Sequence, residues 1–351
     1  MKNKKDLFIG SLLGGAIGDA LGYTVEFMTL DEIKSKFGDK GITDLEIDKT
    51  KVKALISDDT QMSLFTADGM IWAYLRCSER GIGSYVGSGI YQSYLRWYYT
   101  QTNKMPTDND KFWLEFQPHE EKDSILNYKD LFFQRAPGNS CLTALKSGRM
   151  GTIDEPINNS KGCGGIMRVA PVGLFLNRKP VEAFRVAAEV AAITHGHPTG
   201  YLTAGVLGTI IAELINGENI IDSTLSAINI LKEYKDHGET LYSIEKAITL
   251  AESDQNYQQA IRSLGEGWIA EEALSVALYC ALKGSNIKNA LIMSVNHDGD
   301  SDSTGAICGN ILGAAYGINA LPKEWIDKIE LKDLLISMGT KLYDLSERAF
   351  N

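Results

Sequence analysis

Cysteine is scarce in this 351-residue chain, and none of its five copies (Cys77, Cys141, Cys163, Cys280, Cys308) forms a Cys-x-x-Cys pair. Their scatter excludes a disulfide framework and a zinc ribbon, and the count suits a reducing compartment, so a cytoplasmic location is expected. Proline is also sparse, at 8 residues, and no Pro/Gly/Ser-rich linker or sustained charge run divides the chain. A single domain over 1–351 follows. Positive charge is in deficit: 35 Lys and Arg against 45 Asp and Glu leave a formal net charge of -10. Nucleic-acid surfaces need clustered Lys and Arg, so DNA and RNA are not expected partners. A nucleotide held by backbone amides or metal ions stays compatible with that balance.

The N-terminal apolar run, Leu7 to Gly18, is far short of the ~20 residues of a membrane span, and no membrane partner is expected. With Lys2, Lys4 and Lys5 before it the run imitates a secretory signal, but Asp6 opens it and no A-x-A site follows. It reads as a buried first helix. Alternating β patterns are nearly absent; residues 41–47 could form one short strand.

What the sequence does have is helical periodicity, in 181–193, 202–215, 243–251 and 271–282 among others. Glycine recurs every fourth residue at Gly10, Gly14, Gly18 and Gly22, and again at Gly305, Gly309, Gly313 and Gly317. Each set forms one row along a helix and permits close backbone approach. The fold expected is all-α, a single-domain helical bundle. Its least helical part is a polar connection at about 97–131, a length usually tied to function or motion.

Two acidic clusters open helical stretches: Ser57-Asp58-Asp59-Thr60, and His297-Asp298-Gly299-Asp300-Ser301-Asp302-Ser303-Thr304. Capping accounts for either alone, because Ser, Asp and Thr cap helices and acids favour their N-termini. Each carries more oxygen donors than a cap needs. Both precede helices able to approach closely, so their carboxylates could converge, and a converged set needs cations to stay ionised. Hard oxygen donors suit Mg²⁺ or Mn²⁺, and two ions bridged by carboxylates would satisfy the cluster.

These motifs resemble the ADP-ribosylglycohydrolase family, which includes ADP-ribosylarginine hydrolase and the dinitrogenase reductase-activating glycohydrolase. The resemblance covers nearly the whole chain in order. It runs from Gly14-Gly15-Ala16-Ile17-Gly18-Asp19-Ala20-Leu21-Gly22 with Glu26, through Ser57-Asp58-Asp59-Thr60, to the segment Gly162–Pro171. It continues with Thr194-His195-Gly196-His197, then Glu266–Ala273 and Gly299–Gly305. It implies an orthogonal all-α bundle with a two-metal cleft. Ser57, Asp58, Asp59, Asp300, Asp302 and Ser303 match the family's metal ligands, and Glu26 matches a carboxylate beside the metals implicated in catalysis or gating. Catalytic roles are expected of Glu26, Asp58 and Asp302.

The loop around Lys161, Gly162, Cys163, Gly164, Gly165 and Met167 looks like the glycine-rich segment that approaches the ADP-ribose diphosphate, which suits glycine's lack of a Cβ. Gly138 lies in a loop resembling the cleft rim. His195 and His197 are candidates for ribose or phosphate contact, Trp268 for stacking on the nucleotide, and Arg168 for binding phosphate or a buried acid. Ser57, Ser303 and the 162–165 loop look closer to the arginine-specific branch, with Glu115, Glu120, Glu121 or Asp123 as carboxylates that would read a cationic side chain.

The implied activity is two-metal hydrolysis of ADP-ribose from a modified protein, arginine linkage foremost, reversing an ADP-ribosyltransferase. One alternative is an immunity-type protein that occludes a cognate transferase. Others are a hydrolase for ADP-ribosyl-serine or another linkage, and a metal-dependent phosphohydrolase.

Overall fold

The computed structural model describes residues 3–104, 120 and 124–350. Within them lie sixteen helices and no sheet, only three isolated β-bridges. The first four are α1 (Lys4–Tyr23), α2 (Leu30–Phe37), α3 (Asp58–Arg80) and α4 (Tyr91–Thr102), with one π-helical turn, Val86–Ile90, leading into α4. Then come α5 (Asn139–Lys146), α6 (Ala170–Phe175), α7 (Pro180–Ala192), α8 (Pro198–Asn216), α9 (Ile220–Leu231) and α10 (Gly238–Glu252). The chain closes with α11 (Tyr257–Leu264), α12 (Ala270–Lys283), α13 (Ile287–Val295), α14 (Ser301–Tyr316), α15 (Lys323–Ile326) and α16 (Lys332–Phe350). The expected all-α architecture is the one observed.

Helix α1 is buried on every side from Leu7 to Gly22, and α14 from Ser301 to Ala315. Helices apolar all round belong at a core's centre. The two cross antiparallel, glycine row on glycine row. A Cβ built on Gly18 would stand 1.9 Å from the Gly305 carbonyl oxygen, and one on Gly309 would stand 1.9 Å from that of Gly14. Register is locked midway. Ser11 Oγ donates to the Asn310 carbonyl (3.0 Å), and Asn310 Nδ2 donates to the Ser11 carbonyl (2.8 Å). The row extends past the glycines of α14: a Cβ on Gly22 would lie 2.2 Å from the Ser301 carbonyl oxygen. The end of α1 is thereby pressed against the start of α14. Helix α8 is apolar and long enough to cross a membrane, yet 83% of that apolar stretch is buried.

Two expectations from the sequence are revised. Residues 41–47 form no strand, because the Asn296 side chain satisfies both backbone groups of Ile42, each at 2.9 Å. The polar connection starts later than residue 97. Trp97 to Thr102 complete α4, with Trp97 wholly buried, and 125–132 make two 3₁₀ turns anchored by buried Ile125 and Leu131. Glu120 is the one residue of 105–123 within the described set.

The crossing makes a direct expectation. Gly309→Ala should destabilise the protein by about 1–3 kcal/mol, the usual cost of overpacking a core. Gly238→Ala should stay within about 0.5 kcal/mol, since a Cβ there meets nothing within 4 Å. Urea unfolding of the two variants checks the pair; equal midpoints would contradict the close crossing.

Candidate active site: a carboxylate cluster where three segments end

Three segments deliver the acids to one place. At the start of α3, Ser57 caps the helix, its Oγ accepting from Asp59 N (3.2 Å), and Asp58 and Asp59 fill the first turn. At the start of α14, Asp300 caps, accepting from Ser303 N (3.3 Å), with Asp302 in the first turn. Beyond α1, a turn closed by Met28 N donating to the Val25 carbonyl (2.9 Å) presents Glu26. One oxygen each from Glu26, Asp300 and Asp302 lie within 4.8 Å of one another.

Asp19 ties α3 to α1. Wholly buried, it accepts from Ser57 N (2.9 Å), Thr60 N (3.1 Å) and the Thr60 hydroxyl. Gly138 N donates to Asp58 Oδ2 at 3.4 Å. The rim loop before it is held by Arg135, which donates to the Ile56 carbonyl (3.2 Å) and pairs with buried Glu330 (3.3 Å). Ala136 in that loop adopts φ 55°, a left-handed conformation that costs a non-glycine residue energy and that gathers at functional sites.

The cleft has a volume of about 620 Å³, and Glu26, Asp58, Asp59, Asp300, Asp302 and Ser303 form its acidic wall. Gly138, Gly162, Cys163, Gly164, Met167, His195 and Trp268 also line it, and among the described residues no Lys or Arg does. A Cβ on Gly164 would be crowded, standing 3.1 Å from both Cys141 Sγ and His195. A larger cavity, about 890 Å³, lies between α3, α7 and the end of α16, and holds none of the sequence-predicted site residues.

Burial first, and the charge of Asp302 second, push Asp58, Asp59 and Asp300 well above the usual carboxylate range. The same two causes raise Glu26 to about 10 and Asp19 to about 7. Burial also raises Asp302. His195 goes the other way, down to about 3, through burial and then the Arg168 charge; it is neutral, with Nδ1 2.8 Å from Thr194 Oγ1. Cys163 Sγ donates to Asp300 Oδ2 at 2.6 Å, and burial raises this thiol well above its ordinary range. Glu26 Oε2 and Asp59 Oδ2 are buried with no hydrogen-bond partner. Orphaned carboxylate oxygens in a compact, all-oxygen donor set fit hard divalent cations such as Mg²⁺ or Mn²⁺.

Several sequence-predicted residues stand elsewhere. Ser57 is buried and not part of the cleft lining, though its side chain hydrogen-bonds Asp302, and Gly165 lies beneath the glycine loop against Ala191. Lys161 turns away, to Glu271 (2.6 Å) and Glu239 (2.9 Å). His197 caps α8, accepting from Thr199 N at 3.2 Å. Arg168 takes neither role considered for it: fully buried, it donates to Thr194 Oγ1 (2.7 Å) and the Val190 carbonyl (3.1 Å) and sits over the Tyr94 ring. Glu120 is committed to Arg96 (2.7 Å), so it does not read a substrate cation; Glu115, Glu121 and Asp123 lie outside the described residues. Sequence reasoning missed Asp19 and Phe27. An acid inside a glycine row was the available sign of the first; the second, beside Glu26, stacks on Trp268 and carries no motif.

Helix ends that gather carboxylates beside a glycine loop in an all-α fold define the class to which the chain is matched. It belongs to the ADP-ribosylglycohydrolase family, whose model matches residues 1–351. It is 25% identical over 335 residues to the ADP-ribosyl-[dinitrogen reductase] glycohydrolase of Rhodospirillum rubrum, covering 93% of this chain and 91% of that one. It is 24% identical over 342 residues to ADP-ribosylarginine hydrolase Tri1 of Pseudomonas putida, covering 95% and 77% respectively. A solved ADP-ribosylglycohydrolase-related protein complex superposes with a TM-score of 0.66 at 22% identity, covering 99% of this chain and all of that chain. At the level of the family, this is a hydrolase of ADP-ribose linkages.

The raised carboxylates give stability a sign. A group whose pKa is higher folded than unfolded stabilises the fold below its unfolded value, and that contribution is lost as pH climbs to the folded value. Asp19 moves from 3.8 to about 7 and Glu26 from 4.5 to about 10. In chelator, the melting temperature should therefore fall steadily from pH 5 to pH 9. A thermal scan series checks this, and a melting temperature that rises over that window contradicts a crowded, cation-free cluster.

Proposed function

We propose that the protein hydrolyses the N-glycosidic bond of ADP-ribosyl-arginine on a modified protein, using two divalent cations, Mg²⁺ or Mn²⁺. One observation carries the reading: Glu26, Asp300 and Asp302 bring oxygens within 4.8 Å of one another while buried oxygens of Glu26 and Asp59 lack partners. Glu26, Asp300 and Asp302 would hold one ion, and Asp58 and Asp59 from α3 would complete the set with the hydroxyl of Ser303; Ser57 serves behind them as a cap. Bound there, the cations supply Lewis-acid polarisation and an anchor for the ribose hydroxyls.

The chain's own groups do the rest. Gly162 and Gly164 offer a face without side chains to the diphosphate, which no Lys or Arg among the described residues lining the cleft can neutralise. His195, held neutral, adds a hydrogen-bonding ring without adding charge. With cations in the cluster Glu26 would be ionised; it then takes a proton from the water whose oxygen bonds to the anomeric carbon, while the bond from that carbon to the guanidine nitrogen breaks and its electron pair leaves with the guanidine, which is basic enough to be protonated at neutral pH. The arginine linkage is supported by the similarity to relatives named for arginine and dinitrogen reductase substrates, and by a cleft whose charged side chains, among the described residues, are all acids.

The test is release of ADP-ribose from matched arginine- and serine-linked peptides, with Mg²⁺ and with chelator. Wild type should cleave the arginine linkage faster and only with metal, and Glu26→Gln and Asp302→Asn should each lose about 10²-fold or more with the helical fold intact. Faster cleavage of the serine linkage would refute the arginine reading, and full turnover in chelator would refute the cation reading.

A further inference from the structure

We propose that Phe27 and Trp268 form the platform on which the leaving group, the planar cationic side chain of the modified protein, is held during hydrolysis. The inference deepens the arginine reading and rests on it.

Both rings line the mouth of the acidic cleft and stack on each other, with centroids 5.8 Å apart and planes 22° from parallel. They are left in water, Phe27 73% exposed and Trp268 39%, although burial would stabilise each of them. Single exposed apolar residues need no explanation. A stacked pair one residue from a carboxylate cluster does.

Each ring stands on backbone fixed to that cluster. Phe27 follows Glu26 in the turn closed between Val25 and Met28. The Trp268 carbonyl accepts from Cys163 N at 3.1 Å, and the Glu266 carbonyl accepts from Asp300 N at 2.8 Å, so the 266–268 segment is zipped to a cluster residue and to the glycine loop. Gly267 (φ 85°) lies under the same strap, where a Cβ would sit 3.2 Å from the Asp300 carbonyl oxygen.

Position decides between the two ends of the substrate. The scissile anomeric carbon belongs at the cluster, and adenine is separated from it by a ribose and the diphosphate. The leaving nitrogen is directly attached. Rings that flank the cluster itself are placed for the leaving side chain. Charge agrees: Glu26 adjoins one ring and Asp300 packs beneath the strap of the other. A guanidinium stacks on aromatic faces and is attracted by these carboxylates; an uncharged seryl oxygen gains neither.

The experiment uses the full chain with Mg²⁺ and three variants, Phe27→Leu, Trp268→Leu and the double. The double variant should lower kcat/KM on an ADP-ribosyl-arginine peptide about tenfold, the order a partly desolvated cation–ring contact supports, while the Kd for free ADP-ribose changes less than about twofold. Parallel weakening of ADP-ribose binding would overturn the proposal by placing the nucleotide on the rings, and so would unchanged kinetics. Agmatine, which carries a guanidinium on a short alkylamine chain, is the second probe. Added to wild type saturated with ADP-ribose, it should quench tryptophan fluorescence, and the quench should vanish in Trp268→Leu. No quench in wild type overturns the platform whichever linkage is cleaved. Quenching in a wild type that spares ADP-ribosyl-arginine supports the platform and rejects the linkage.

Discussion

The antiparallel contact of two glycine rows, α1 on α14, is the constraint from which the site follows. Backbones meet where a single added methyl would stand 1.9 Å from a carbonyl oxygen, and the Ser11–Asn310 exchange prevents sliding by a turn. Because the contact continues to Gly22 and Ser301, the end of one helix and the start of the other are fixed together, and Glu26 meets Asp300 and Asp302. Asp19, one residue past the closest approach, then draws in the start of α3 through Ser57 and Thr60. A side-chain cluster assembled on rigid helix ends keeps its geometry better than one carried on loops.

The same construction is electrostatically costly. Five carboxylates line a cleft with no Lys or Arg among the described residues, and burial is the first cause of every upward shift there. The cations that might have neutralised them are engaged elsewhere: Arg135 with Glu330, Lys161 with Glu239 and Glu271, and Arg168 with neutral partners in the core. Each of these contacts shapes the cleft wall without lowering its negative charge. A site of this charge attracts cations of either kind, which is the basis of both the metal and the arginine proposals.

The helical class, the close crossing and the acidic helix starts were legible from period-four glycines and from capping residues in excess of need. Convergence of the two clusters could be suggested from helices able to approach closely, but spacing alone could not fix it with Ser57 and Asp300 hundreds of residues apart; the ordered motifs of the resemblance joined them. Asp19 escaped because its partners are backbone amides some forty positions on, and Phe27 because exposure beside a carboxylate leaves no mark in a sequence. Lys161 and Arg168 were misplaced for the opposite reason. A basic residue next to a glycine loop looks the same whether it faces a phosphate, a buried network like that of Arg168, or an ion pair at the surface like that of Lys161. Residues 97–102 appeared too polar for a core helix, yet their Thr and Gln side chains hydrogen-bond inward, to the Trp97 and Leu131 carbonyls and to Gln61.

The most direct measurement is Mn²⁺ binding to chelator-stripped protein, read by metal analysis after gel filtration together with low-temperature EPR. Two tightly held, spin-coupled Mn²⁺ per chain, lost on Asp300→Ala/Asp302→Ala substitution, is the expected result. Protein that emerges without metal and with the spectrum of free aqueous Mn²⁺ would contradict it.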